Sequence, residues 1–126
     1  MEVKAFDYDL ASGSLSNQSV VIKVDVSQGY PDGMAMDNDG KLWIAHWDGG
    51  CVRQWDPETG KELQKIEVPA PRVTSCAFGG ENFDTLYITT ARIGLSEAQL
   101  KAFPLSGGIF KVAPGVTGRK ANLFKP

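Results

Sequence analysis

Asp32 is the residue whose type and setting most suggest chemistry. It stands between Pro31 and Gly33, at the head of the apolar segment GMAMD (33–37). A carboxylate at the entrance of a strand can bind a hard divalent cation through oxygen. The triplet Pro-Asp-Gly is also a common turn. The sequence by itself therefore leaves two interpretations of Asp32, a turn residue or a member of a site.

The acidic segment DNDG (37–40) invites comparison with a calcium loop. If Gly40 is the sixth residue of an EF-hand loop, Ala35 is the first and His46 the twelfth. The loop needs an acid at its first position and a glutamate at its twelfth, so the pattern fails. We interpret DNDG as the turn of a β-hairpin.

His46 is the only histidine, which excludes a metal site with two histidine ligands. In the segment LWIAHW (42–47), strand alternation puts it on one face with Leu42 and Ile44. We expect a packed histidine on this apolar face rather than a catalytic one. The opposite face then carries Trp43, Ala45 and Trp47.

Other reactive or bulky side chains have structural alternatives. Arg72 and Arg92 lie near predicted strand ends, where they could meet an anionic ligand or be solvated. Cys51 and Cys76 are expected to be reduced thiols in strands, because nothing marks the protein as secreted. The aromatic residues expected to pack between sheets are Trp43, Trp47, Trp55, Phe78 and Tyr87.

The composition predicts one globular domain. The chain has 126 residues, 42% of them hydrophobic and 22% charged, with a net charge of −2. It lacks a basic stripe for nucleic acid and an apolar run of about 18 to 20 residues for a membrane helix. The first ten residues, MEVKAFDYDL, do not resemble a signal peptide. We expect a cytoplasmic protein.

Short strands separated by turns are predicted along most of the chain. Their spacing is typical of an all-β sandwich, barrel or propeller. The predicted strands cover 19–26, 33–37, 41–47, 51–56, 61–68, 74–79, 85–91, 107–113 and 120–124.

One segment, LSEAQLKAFP (95–104), predicts a short helix near 96–102. Ser96 is the expected N-cap and Gln99 its capping-box partner, while Pro104 would end the helix.

Two interleaved repeats favour the propeller over a sandwich. FDYDLASGSLS (6–16) resembles RQWDPETGKELQ (53–64), and DGMAMDNDGKLWIA (32–45) resembles SCAFGGENFDTLYIT (75–89). A period of about 40 to 50 residues is typical of propeller blades. We therefore predict about two and a half four-stranded blades: the outer half of one over 3–26, and full blades over 30–68 and 73–125.

Closed propellers usually have four to eight blades, so this arrangement leaves open strand edges. Two ways of covering them are expected. The remaining blades are supplied in cis or in trans, or the chain forms a homo-oligomer.

Several segments together resemble the C-terminal part of the SMP-30/gluconolactonase/luciferin-regenerating-enzyme (regucalcin-like) family. They are PDGMAMDNDGKLWIAHWDGG, DPETGKELQKIEVP, TSCAFGG, LYITTAR and GGIFKV. The resemblance implies a six-bladed propeller that hydrolyses sugar lactones such as gluconolactone, with one divalent metal at its axis.

The resemblance also implies a role for Asp32. In the family the metal sits on an N-terminal Glu, a mid-chain Asn and the Asp of the PDG stretch, and only the last has a match here. The substrate-contacting Arg and Asn of the family also have their places ahead of residue 1. Asp32 is thus implied as metal ligand and general base for Ca, Zn, Mn or Mg, with weak or absent binding in this chain alone.

The expected function is that of the C-terminal portion of a divalent-metal-dependent sugar lactonase. One alternative is a non-catalytic half-propeller that self-assembles or pairs with an N-terminal half. A second is a propeller that binds a sugar acid without turnover.

Overall fold

The computed structural model describes residues 1–123, and this part of the chain is mostly β with one short α-helix, as predicted. None of its helices is long and apolar enough to cross a membrane. The strands are β1 (Glu2–Tyr8), β2 (Leu15–Lys23), β3 (Tyr30–Met36), β4 (Leu42–Trp47), β5 (Cys51–Asp56), β6 (Lys61–Glu67), β7 (Val73–Gly79), β8 (Thr85–Thr90) and β9 (Ile109–Val112).

The strands form three antiparallel sheets in chain order. The first sheet is β1-β2, the middle sheet is β3-β4-β5-β6, and the third sheet is β7-β8-β9. Each strand pairs with its neighbour in sequence, so the sheets are meanders joined by short connections. The blade boundaries given above stay a prediction.

The strand predicted over 120–124 does not form over 120–123, and Phe124 lies outside the described residues. The preceding segment is instead bound to the middle sheet. The amide of Asn38 donates to the carbonyl of Thr117 at 2.9 Å, and the amide of Arg119 donates to the carbonyl of Met36 at 3.1 Å. The chain therefore turns back across the β3–β4 turn and does not run along β9.

Capping side chains mark where the 3-10 helix and the α-helix begin. β2 ends before Asp25, whose side chain accepts from Ser27 and caps a 3-10 helix, Val26–Gln28, so the predicted strand is cut short. The α-helix, α1 (Glu97–Ala102), begins after Ser96, and the capping box with Gln99 is present. The helix prediction is confirmed.

The core consists of two apolar layers on either side of the middle sheet. Trp43 and Ala45 lie on one face of β4 and Ile44 on the other, as predicted, and these faces meet the third and the first sheet respectively. Burial of each large apolar side chain contributes about 1.5 to 3 kcal/mol. Trp43 also meets Phe78 edge to face, with ring centroids 6.0 Å apart.

Tyr87 and the two cysteines complete the comparison with the expected core. Tyr87 is 40% exposed, contrary to the packing predicted for it, because no sheet covers its side of β8 within the described residues. Cys51 and Cys76 are buried free thiols, as predicted. Burial raises the pKa of Cys51, and it raises the pKa of Cys76 to about 12, so neither thiol is poised as a nucleophile.

Asp37, which follows β3, is a fully buried carboxylate with four hydrogen-bond donors. One oxygen, Oδ1, accepts from the amides of Asp39 at 3.0 Å and Lys41 at 2.8 Å. The other, Oδ2, accepts from Trp43 Nε1 and Gln54 Nε2, both at 2.8 Å. DNDG is thus a hairpin turn, as interpreted, and its first residue also ties the turn to β4 and β5.

Replacement of this carboxylate should be costly. We expect Asp37→Ala to lower the free energy of unfolding by at least about 3 kcal/mol, because it leaves buried donors of Trp43 and Gln54 unpaired. Urea unfolding measures the loss. The matched control is Asp39→Ala in the same turn, where Asp39 is exposed and a change within about 0.5 kcal/mol is expected. Equal losses in the two variants would contradict the role given to Asp37.

Candidate functional site

Asp32 lies in a β-bulge at the beginning of β3. Pro31 is opposite His46 and Met34 is opposite Ile44, so three steps on β3 match two on β4. A bulge of this kind increases the local twist and redirects side chains, and such bulges are frequent beside active sites. Asp32 is exposed, and no side-chain hydrogen bond involves its carboxylate within residues 1–123. The carboxylate is therefore accessible to a ligand.

Gly33 lets the middle and third sheets approach closely beside Asp32. A Cβ at Gly33 would lie 2.6 Å from the Cβ of Ser75 and 2.9 Å from its Cα. No side chain can occupy that space, so glycine is required where β3 meets β7. The bulge and this contact together hold Asp32 near the start of β3, an edge strand of the middle sheet.

The segment that leads into β3 packs against the turn between β4 and β5. Gly29, with φ of 85°, follows the 3-10 helix, and a Cβ there would lie 2.6 Å from the carbonyl oxygen of Trp47. The carbonyl of Gln28 is 2.9 Å from Nδ1 of His46. Because a carbonyl only accepts, the proton of neutral His46 is assigned to Nδ1.

His46 is fully buried, so the prediction of a packed histidine is confirmed. Its ring lies nearly parallel to that of Trp55, at 11°, with centroids 6.2 Å apart. Nε2 has no hydrogen-bond partner in the described part of the chain. Burial lowers the pKa of His46, and the nearby Arg53 acts in the same direction, while the Gln28 carbonyl opposes them. The ring is a structural element behind the bulge.

The two arginines are not arranged as an anion site. Arg72 pairs with Asp48 at 3.1 Å, lies 5.0 Å from the centroid of Trp47, and donates to the carbonyl of Ile93. It links the connection after β8 to the turn after β4, so its charge is already paired although 18% of its side chain is exposed. Arg92 is exposed, and its aliphatic stem lies against Gly107.

The metal expected at Asp32 needs more ligands than this part of the chain brings together. No cluster of three or more His, Cys, Asp or Glu side chains occurs within residues 1–123. Ca²⁺ takes about 6 to 8 oxygen ligands and Mg²⁺ about 6. A single exposed carboxylate fits as one ligand of such a site and does not fit as the whole site.

The sequence matches a family model over residues 1–92, described as SMP-30/Gluconolactonase/LRE-like region. The chain belongs to this family. Among curated relatives, regucalcin of Danio rerio is 50% identical over 117 residues, which are 92% of this chain and 40% of the relative. The chain thus spans about two fifths of the length of the relatives it matches.

In solved structures the three sheets match part of a regucalcin-type propeller. A calcium-binding protein, regucalcin, from Agrobacterium tumefaciens superimposes with a TM-score of 0.90 and 28% identity, over 99% of this chain and 42% of that one. A luciferin-regenerating enzyme superimposes with a TM-score of 0.82 and 34% identity, over 94% of this chain and 40% of that one. The predicted fold class is confirmed.

The close approach at Gly33 can be tested by adding one methyl group. We expect Gly33→Ala to lower the free energy of unfolding by about 1 to 3 kcal/mol, because the new Cβ overlaps Ser75. The double variant Gly33→Ala/Ser75→Gly should recover part of the loss, since it removes the overlapping side chain. Denaturant unfolding of both variants and of Ser75→Gly alone measures the coupling. Strictly additive effects would contradict the contact.

His46 should make stability depend on pH. Its pKa is lower in the folded chain than its ordinary value of 6.5, so the unfolded chain takes up the proton first as the pH falls. The contribution of neutral His46 is therefore present above that value and is lost below it. Between about pH 8 and about pH 5.5, the wild type should lose more free energy of unfolding than His46→Gln, measured in urea. Equal losses in the two proteins would count against this assignment.

Proposed function

We propose that this chain is the C-terminal portion of a divalent-metal-dependent sugar lactonase. The observation that carries the proposal is the setting of Asp32, an exposed carboxylate in a bulge of β3, the edge strand of the middle sheet. The family to which the chain belongs includes gluconolactonases by its description. A sugar lactone with an accessible ring carbonyl is the substrate class that we assign.

The reaction opens an ester ring with one water molecule. The water oxygen forms a bond to the lactone carbonyl carbon, the ring C–O bond breaks, and the ring oxygen takes up a proton, so that a hydroxy acid results. Asp32 would accept the proton of the attacking water, as a general base within hydrogen-bond reach does. Asp32 would also be one ligand of a divalent metal, and that metal would supply polarisation of the carbonyl and stabilisation of the oxyanion.

The rest of this chain positions Asp32 rather than contacting substrate. The bulge exposes the carboxylate, and the contact between Gly33 and Ser75 fixes the strand that carries it. The other metal and substrate ligands would come from blades outside these sheets. We therefore expect little or no hydrolysis by the isolated chain.

A second candidate function is a non-catalytic half-propeller that associates with other propeller sheets. It is favoured by large apolar side chains that remain exposed on β3, β8 and β9. These are Tyr30, Met34, Met36, Tyr87 and Ile109.

The role of Asp32 can be tested in a complete propeller. The matching segment of Danio rerio regucalcin is replaced by this chain, and hydrolysis of gluconolactone is measured with added Ca²⁺, Zn²⁺, Mn²⁺ or Mg²⁺. We expect Asp32→Asn to lower kcat/KM of the chimera by at least about 100-fold, because a general base and a metal ligand are lost together. Calorimetric titration of the metal should show weaker binding in the same variant.

Asp39→Asn in the same chimera is the matched control, since Asp39 is exposed in a turn at the other end of β3. It should leave both hydrolysis and metal binding unchanged. A chimera that hydrolyses the lactone equally well with and without Asp32 would refute the assigned role.

A further inference from the structure

The third sheet repeats the bulge that carries Asp32. In β3 the register shifts between Pro31 and Met34, and in β7 it shifts in the same way between Val73 and Ser75. Each shift adds one residue near the start of an edge strand, and the two strands pack against each other. The first residues of β7 therefore lie at the same end of the molecule as Asp32.

Ser75 lies directly beside the residue that follows Asp32. A Cβ at Gly33 would lie 2.6 Å from the Cβ of Ser75, and the Ser75 hydroxyl oxygen is the nearest atom to that position. The serine side chain thus uses the space that the glycine leaves open. Because β3 and β7 are tightly packed at this point, the hydroxyl is held in a fixed position next to the backbone that carries Asp32.

The hydroxyl of Ser75 is available, whereas its neighbours at this end of the third sheet are occupied. The hydroxyl oxygens of Thr74 and Thr89 are 2.7 Å apart and share one hydrogen bond. Thr90 donates to the carbonyl of Gly108 at 2.8 Å. Ser75 is partly exposed, and its side chain makes no hydrogen bond within residues 1–123. It can therefore both donate to a ligand and accept from it.

A sugar lactone needs polar partners of this kind. Its ring hydroxyls lose water when the substrate enters a site, and a site that hydrogen-bonds them discriminates against a ring that lacks them. In the proposed reaction the Asp32 carboxylate is already engaged by the metal and by the attacking water. A serine hydroxyl at a fixed position beside it is suited to a substrate hydroxyl, because each group can donate and accept.

We propose that Ser75 is a specificity-determining residue that hydrogen-bonds a ring hydroxyl of the sugar lactone. The inference rests on the proposed function, because it requires the substrate to lie beside Asp32. Ser75 is then the exception to the positioning role of the rest of the chain, since it both packs against Gly33 and contacts the substrate. It takes no part in metal binding or in proton transfer.

The experiment uses the regucalcin chimera described above and two lactones of the same ring size. Glucono-δ-lactone carries ring hydroxyls, and δ-valerolactone has the same ring without them. We expect Ser75→Ala to lower kcat/KM for glucono-δ-lactone about 5- to 10-fold, mainly through KM, because one hydrogen bond to the substrate is lost. For δ-valerolactone the change should stay below about twofold, since this ring has no hydroxyl for Ser75 to bind.

Thr85→Val is the matched control, because it also removes a hydroxyl but lies at the opposite end of β8. It should change the hydrolysis of neither lactone. Calorimetry gives a second readout that needs no turnover. Ser75→Ala should weaken the binding of gluconate, the hydroxy acid product, about fivefold and leave the affinity for Ca²⁺ unchanged. Asp32→Asn, in contrast, should weaken the binding of Ca²⁺ itself.

Equal losses for the two lactones in Ser75→Ala would overturn the proposal, because a merely structural role affects every substrate. Unchanged hydrolysis together with unchanged gluconate binding would also overturn it. Ser75→Gly gives an independent reading, since it removes the hydroxyl without adding an atom.

Failure of this inference can be told apart from failure of the proposed function. If Asp32→Asn impairs hydrolysis and Ser75→Ala changes neither kinetics nor gluconate binding, the inference alone fails. If Asp32→Asn leaves hydrolysis unchanged, the proposed function fails. A chimera without hydrolysis still tests Ser75 through gluconate binding, and a wild-type chimera that does not bind gluconate would overturn the inference.

Discussion

The buried carboxylate of Asp37 is the interaction on which the rest of this structure depends. A carboxylate removed from water is costly unless donors replace the solvent, and here four donors do so. They come from the turn, from β4 and from β5, so one side chain fixes three parts of the middle sheet. Trp43 is held by its indole nitrogen, and its ring then forms the surface on which the third sheet packs. The spacing between the two sheets follows from that packing.

The spacing between the sheets in turn explains the position of Asp32. Once Trp43 brings the third sheet close, β3 and β7 meet at Gly33 and Ser75, where there is no room for a side chain. The bulge beside this contact exposes the neighbouring carboxylate. The aspartates at the two ends of β3 therefore have different environments. Asp37 is surrounded by donors and is structural, whereas Asp32 is exposed and is available for a ligand.

What the sequence could predict depended on how local the interactions are. The α1 cap needed only Ser96 and Gln99, three residues apart, and the two faces of β4 needed only alternation. The long-range features were missed. Arg72 contacts Asp48 and Ile93, more than twenty positions away in either direction, and its spacing carries no signal of this. The sequence indicated only a turn residue at Asp37, because two of its four donors, Trp43 and Gln54, lie on β4 and β5 outside the turn.

The same distinction applies to function. Each sheet of a propeller contacts only its neighbours, so three sheets can form two apolar layers and a stable middle sheet without the rest of the ring. An axial site is different, because its ligands come from sheets on several sides of the axis. Local packing exposes the carboxylate of Asp32, whereas residues 1–123 contain no cluster of further ligands around it. Stability in this chain is a property of neighbouring sheets, and catalysis would be a property of the closed ring.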